Sequence, residues 1–177
     1  LMPAGALDTY LRLTGDPETF TPLQTWGDTT LGMVTGNNGY FTLSPARVAE
    51  LGLTSADLVR LCPPGSRHLR GLSFTAAAWH ELGARGSATW LFRPADEPSR
   101  AGRAYIAQGE ADGVSEAYKC RVRQPWWRVP LVPPADLLVT YMNADTPRLT
   151  TNRAGVRHLN SVHGLYLHAA HRALGRD

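Results

Sequence analysis

The window Tyr118 to Pro130, Tyr-Lys-Cys-Arg-Val-Arg-Gln-Pro-Trp-Trp-Arg-Val-Pro, gathers more unlike chemistry than any other in the chain. Arg121, Arg123 and Arg128 are permanently charged forks that match a phosphate or a guanine edge with paired hydrogen bonds. Trp126 and Trp127 are large flat apolar surfaces. Pro125 and Pro130 forbid a continuous helix and each removes a backbone donor. Lys119, Arg121 and Arg123 alternate with Cys120, Val122 and Gln124, so an extended strand would set its cations on one face. A basic face leading into an aromatic corner suits an anionic polymer with flat bases. The plain alternative is a half-buried strand with a solvated face and a tryptophan pair in the core. For any single charged strand, residue type alone favours that alternative.

Other chemistries lack a complete set of groups. His163, His168 and His171 lie close in sequence, but only Asp177 follows them and no cysteine completes a tetrahedral site. A serine hydrolase would need a Gly-x-Ser-x-Gly elbow, which is absent. Cys62 and Cys120 are too few for a disulfide framework or a zinc site, so a reducing cytoplasm is the expected setting.

The elements that must position the basic window are short. Leu31 to Val34 and Tyr40 to Leu43 read as strands joined by Thr35-Gly-Asn-Asn-Gly39, whose Asn-Gly pairs suit a tight turn. Asn37 and Asn38 at its tip have two readings, a plain hairpin turn or a loop approaching a ligand. Ser44-Pro45 predicts a capped helix ending near Gly52, and Thr54 or Ser55 caps a turn through Leu61. Arg67-His-Leu-Arg70 is a second basic candidate, leading into a strand over His68 to Phe74. Thr75 to Leu82 reads as a helix with Trp79 in the core, Thr89 to Phe92 as a buried strand, and Ala101 to Ala111 as a helix capped by Ser99. Leu137 to Tyr141, Arg148 to Thr151 and Val162 to Leu167 read as strands, with a loop from Asn143 to Pro147 and a helical tail from His168. Residues 1–26 read as a linker or an incomplete first element, and 27–177 as the functional domain. The expected class is α+β: one irregular domain with a short twisted mixed sheet, a few short helices and long loops.

Composition sets bounds. At 177 residues, with 43% hydrophobic and 19% charged content, the chain is globular and long enough for one sizeable core. No apolar run approaches the roughly 20 residues of a membrane span. The net charge of +3 is mild, but residues 1–60 hold three arginines against six acids, so positive charge collects later in the chain.

The basic window resembles the Tyr-Lys-Cys-Arg-x-Arg-x-Pro-Trp-x-x-Val-Pro segment of the target recognition domain of TaqI-like N6-adenine DNA methyltransferases. That family includes fused restriction–methylation enzymes. Three further stretches are similar to family motifs, in the same order. Leu31 to Phe41 is similar to Gly-Ile-Val-Thr-Gly-x-Asn-x-x-Phe. Pro147 to Asn152, Pro-Arg-Leu-Thr-Thr-Asn, is similar to Pro-Arg-Leu-x-x-Asn. Asn160 to His163 is similar to Asn-Thr-x-His. Together they span most of residues 27 to 168.

The resemblance implies a module that clamps double-stranded DNA and reads bases in the major groove. It implies an adenine methyltransferase catalytic domain as partner, with S-adenosylmethionine bound there. This chain has neither the glycine-rich cofactor loop nor an Asn/Asp-Pro-Pro-Tyr/Phe tetrapeptide, so methyl transfer is not expected from it alone. Nor has it the family's glycine-rich segment beyond Asn160–His163. A nuclease would need Glu-x-Lys, and Glu116 stands at the wrong spacing from Lys119. Carried onto this chain, the resemblance makes Lys119, Arg121, Arg123 and Arg128 candidates for phosphates or guanine edges, and Asn37 and Asn38 for adenine or the backbone. Arg148, Asn152, Asn160, His163 and Trp127 complete the DNA-facing set. The alternative function is a protein–protein module docked on a separate methyltransferase or nuclease subunit, recognisable by an exposed apolar patch.

Overall fold

A computed structural model describes residues 3–16, 18, 20–141 and 146–173. In chain order the elements are α1 (Ala4–Thr14), β1 (Gly27–Leu31), α2 (Asn38–Phe41), β2 (Thr42–Leu43), α3 (Pro45–Leu51), β3 (Leu58–Arg60), α4 (Ala76–Ala84), β4 (Trp90–Phe92), α5 (Arg100–Ala111), α6 (Tyr118–Arg121), β5 (Leu137–Thr140), β6 (Arg148–Thr151) and β7 (His163–Leu167), with short 3-10 turns between them. The expected α+β class holds. The strands form two sheets, β1-β7-β5-β6 and β2-β4-β3, whose ladders are antiparallel. Parallel pairing is confined to isolated bridges, Met33 with Leu159, Leu61 with Arg157 and Ser73 with Thr151. No helix among the described residues is long and apolar enough to cross a membrane.

Local signals set the helix ends. Ser44 accepts from Arg47 N at 3.2 Å to cap α3, which Gly52 closes in the left-handed region at φ 64°. Thr75 and Ser99 cap α4 and α5 in the same way. Fully buried Asp57 accepts from the backbone N–H and the hydroxyl of both Thr54 and Ser99, stitching a 3-10 turn to the start of α5. Burial pushes its carboxyl up, and those donors outweigh burial and hold it below the ordinary range.

Two apolar clusters form the core. The first sets Leu43, Leu91 and Phe92 of the small sheet against Tyr40 and Phe41 of α2 and against Tyr105, Trp127 and Val129. Tyr40 and Tyr105 stack at 4.5 Å, and each hydroxyl donates to the other residue's carbonyl at 2.9 Å. The second packs Trp79 of α4 with Leu69, Phe74, Leu138, Val156 and Val162. Trp79 is core as expected, and its indole N–H donates to Leu61 O at 2.9 Å. Each such buried side chain contributes roughly 1.5–3 kcal/mol of transfer free energy.

The larger sheet gathers most of its aliphatic side chains on one face. Register sets Leu137 opposite Leu165, Val139 opposite Leu149 and His163, and Leu31 opposite His163, so these residues share one face. Leu138 points the other way, into the second cluster. On the first face a groove of about 190 Å³ opens between Leu23, Trp26, Leu137, Leu149, Leu165, Leu167 and His171. Trp26, Leu31 and Leu149 are 39%, 52% and 43% exposed there. Helix α1, within the segment read as linker or incomplete element, leaves Leu7, Tyr10 and Leu11 exposed at helical spacing.

Several expectations are corrected. Residues 118–121 form a helical turn, α6, instead of an alternating strand, because Cys120 at 0% exposure anchors the turn inward while Lys119 and Arg121 splay out. Tyr118, read as structural, is 65% exposed. Thr35 to Gly39 does not close a hairpin: Asn37 caps α2, and β1 and β2 belong to different sheets. The strand over His68 to Phe74 reduces to a bridge at Ser73. The tail from His168 makes one 3-10 turn, Ala169–His171, and its end at 174–177 lies outside the described residues, as does 143–145 of the loop before β6.

Candidate nucleic-acid interface

The backbone from Met33 to Gly36 is the hub on which separate motif segments meet. On one side Met33 N donates to His158 O, and Asn160 N donates to Met33 O, both at 3.0 Å. On the other, Arg123 Nη1 donates to Thr35 O at 2.7 Å and its Nη2 donates to Val34 O. Gly36, at φ 91°, has no room for a side chain: a Cβ there would stand 2.8 Å from Lys119 Cβ. Three of the four motifs read from the sequence therefore converge at one short extended segment.

The hub settles what each candidate side chain does within the fold. Buried Thr35 donates its hydroxyl to Asn38 Oδ1 at 2.6 Å and accepts from Asn37 N at 3.1 Å. Asn37 Oδ1 accepts from Tyr40 N at 3.1 Å, so its side chain serves as a helix cap. Asn38 lies exposed beside it. Lys119 and Arg121 are exposed on α6, with Lys119 Nζ 5.4 Å from the centre of the Tyr118 ring. Arg123 is half-buried, and burial draws its guanidinium below its ordinary range. A cis Gln124–Pro125 bond follows, after which Trp126 packs on Tyr40 and donates to Glu110 Oε1 at 3.0 Å. Trp127 is buried, and Arg128 pairs with Asp96 at 2.7 Å.

The remaining candidates divide. Asn160 is exposed, and its carbonyl accepts from the Tyr141 hydroxyl at 2.6 Å. The Tyr141 ring lies 4.1 Å from that of His163, where the loop meets the open sheet face. Next to Asn160, Ser161 accepts from Gly65 N at 3.1 Å and joins the second basic candidate to the same strip. There Ser66, Arg67 and His68 line a cleft of about 450 Å³ with Ser161. Arg148 donates to Arg70 O at 3.4 Å, farther along. Asn152 is buried: its Nδ2 donates to Ala135 O and Val156 O at 2.9 and 2.8 Å, and its Oδ1 accepts from Val156 N. Its part in the fold is to hold a turn.

The strip has contact chemistry but little reactive chemistry. Cys62 Sγ stands 3.2 Å from His68 Nε2, yet burial pushes the thiol up to about 12 and the imidazole down to about 4. Both are neutral near pH 7, so the pair is not a thiolate nucleophile. Among the described residues no three His, Cys, Asp or Glu side chains converge on a metal site. His163, His168 and His171 point apart, toward Tyr141, Asp28 and Trp26.

Sequence reasoning missed Thr35, whose role follows from tertiary contacts. It also missed Arg93 as a neighbour of Arg128: Arg93 Nε donates to Val129 O at 2.9 Å, an 'i to far j' contact that no local pattern announces.

Comparison with known proteins places this arrangement. Residues 2–174 match the family model described as type II methyltransferase M.Eco57I, C-terminal domain. The chain is 25% identical over 142 residues to the type II methyltransferase M.AccI of Acinetobacter calcoaceticus, covering 80% of this chain and 26% of that protein. It is 37% identical over 62 residues to the type II methyltransferase M.XamI of Xanthomonas campestris pv. amaranthicola, covering 35% of this chain and 12% of that protein. The matches thus span only a minor part of either relative. With nearly its whole length inside the family model, the chain belongs to the family of type II methyltransferase C-terminal domains typified by M.Eco57I.

Proposed function

We propose that this domain recognises double-stranded DNA for a type II methyltransferase of a restriction–modification system. Methyl transfer to the N6 of adenine and S-adenosylmethionine binding are what the TaqI-like resemblance implies for a separate catalytic part of the enzyme, and two free cysteines suit a cytoplasmic setting. The observation that carries the reading is the convergence of motif segments on the Met33–Gly36 backbone with Asn38, Lys119, Arg121 and Asn160 left outward. Lys119 and Arg121 supply charge for phosphates or guanine edges, and Asn38 supplies an amide suited to adenine or the backbone. Arg148 and His163 flank the strip. Arg123, Asn37, Asn152 and Trp127 fix the loops from which these side chains project.

Anisotropy of a labelled duplex of about three helical turns, titrated at several salt concentrations, tests this reading. Affinity falling steeply with salt is the expected result. An affinity indifferent to salt, or none at the lowest salt, overturns it.

The open sheet face favours a second, compatible role. Trp26 and Leu149 at an apolar groove, with exposed Leu31 on the same sheet face, form the exposed patch that a docking module needs. The catalytic part of the methyltransferase is the partner this face suits.

A further inference from the structure

A cleft of about 450 Å³ abuts the strip beside Asn160, lined by Pro64, Gly65, Ser66, Arg67, His68 and Ser161. Two segments build it, the loop after Leu61 and the turn after Asn160, and hydrogen bonds fix one against the other. Cys62 N donates to Arg157 O at 2.7 Å, and Gly65 N donates to Ser161 Oγ at 3.1 Å. Within the loop, buried Leu69 donates its N–H to Ser66 O at 3.0 Å. Arg70 Nε donates to Arg67 O at 3.2 Å, so the backbone of Arg67 is held. The Arg67 side chain is exposed at the cleft, and among the described residues its guanidinium has no partner.

The lining decides the charge of what fits. Arg67 is its cation. His68 forms an uncharged wall, its ring 5.5 Å from that of Phe74 and its Nε2 3.2 Å from Cys62 Sγ. Among the described residues the lining holds no carboxylate. Ser161 uses a lone pair on Gly65 N and keeps its O–H to donate. A guanidinium on a fixed backbone beside a hydroxyl donor suits an oxyanion, whose oxygens accept the parallel N–H groups in pairs. The cleft also has a definite place on the strip. Asn160 N donates to Met33 O at 3.0 Å, and Gly36 at the other end of that segment lies against Lys119. Cations thus stand on both sides of Met33–Gly36, Lys119 beyond Gly36 and Arg67 beyond Asn160, with the exposed Asn160 between. This layout suits a polymer whose charges flank its readable edges, and a small free anion would use only one side of it.

We propose that Arg67 and Ser161 bind a backbone phosphodiester of the duplex, across the reading strip from the phosphates met by Lys119 and Arg121. This rests on the DNA-recognition reading and adds to it a contact that positions the duplex without reading its bases.

The test is the duplex titration across salt, comparing the full chain with Arg67→Gln, with Arg67→Lys and with Arg12→Gln on α1 as a charge control. Arg67→Gln should weaken binding about fivefold at moderate salt and reduce the slope of log affinity against log salt by about one, with the control unchanged. Arg67→Lys should restore the slope, because the charge returns, and only part of the affinity, because the fork does not. Both variants should melt within about 2 °C of wild type, as exposed substitutions do. An unchanged slope in Arg67→Gln overturns the site. Selection from random duplexes should give Arg67→Gln the wild-type preference; an altered preference makes Arg67 a base reader and overturns the phosphate assignment. A wild-type chain that binds no duplex overturns the recognition reading, and inorganic phosphate then separates the two failures. A shift of the Arg67 Nε–H magnetic resonance signal on adding phosphate keeps an anion site and overturns only its assignment to DNA, whereas an unmoved signal overturns the site as well.

Discussion

The two open regions of this domain are built in opposite ways. On the polar strip, the side chains that hold the chain and those that face outward are largely different residues: Arg123, Thr35 and Asn37 bond to backbone, while Lys119 and Arg121 project, and only exposed Asn38 does both by accepting from Thr35. On the apolar face the same leucines do both, since Leu165 and Leu167 pack within the sheet and also line the groove. A surface that reads a polymer benefits from separating position from contact, because contacts then change without loss of geometry. A surface that docks one partner needs no such separation, and apolar area alone supplies its driving force.

Breaking the holders should cost far more than breaking the readers. Arg123→Ala removes two charge-assisted hydrogen bonds from half-buried carbonyls and should destabilise the domain by about 3 kcal/mol. That corresponds to a fall of roughly 6–12 °C in melting temperature for a chain of this size. A melting point unchanged by this substitution would erase the distinction between holders and readers.

The join of the two regions should respond to acid. His158 is fully buried between Gly32 and Gly164, where Cβ atoms would come within 2.8 and 2.5 Å of its ring. Burial, then the charge of His163, brings its imidazole down to about 4. The folded state therefore keeps it neutral, while the unfolded chain protonates it below about pH 6.5. Stability should be level above that value and should decline as pH falls toward 4, by up to about 1.4 kcal/mol per unit. Melting curves between pH 7.5 and pH 4.5, taken to be roughly spanning this window, check the sign. A midpoint that rises on acidification would contradict it.

The readers should affect binding alone. Lys119→Ala with Arg121→Ala should weaken duplex binding about tenfold at moderate salt and flatten its salt slope by about two. The melting temperature should stay within about 2 °C of wild type, as for other exposed substitutions. Loss of folding in this pair would place them among the holders. The smallest effect on the isolated domain is expected on the apolar face. Leu149→Ser should shift stability by less than about 0.5 kcal/mol, yet reduce co-purification with a methyltransferase catalytic part. Undiminished co-purification would exclude this face from the interface.

Much of this architecture was legible in the chain. Ser44 and Ser99 announced two helices because caps are local, and the strands from Leu137 onward follow from β-branched and leucine-rich runs. The basic window misled because its alternation of charge and neutral residues fits a strand. The side chain that decides its geometry, Cys120, is drawn inward by contact with Thr35, 85 positions away. Likewise Gly-Asn at 36–37 and Asn-Gly at 38–39 predict a turn, but the Asn37 cap and the burial of Tyr40 and Phe41 make a helical turn instead. Among candidate residues, type gave the charge, but only tertiary contacts distinguish exposed Arg121 from tethered Arg123.

The Arg123 tether has a wider consequence. It grasps the main-chain oxygens of residues 34 and 35, and every amino acid carries such an oxygen. Mutations that rewrite the side chains around this grip leave its acceptors intact. Under the proposed recognition role, a lineage pressed to alter its target can therefore explore new loop chemistry in single steps, each passing through a protein that still folds.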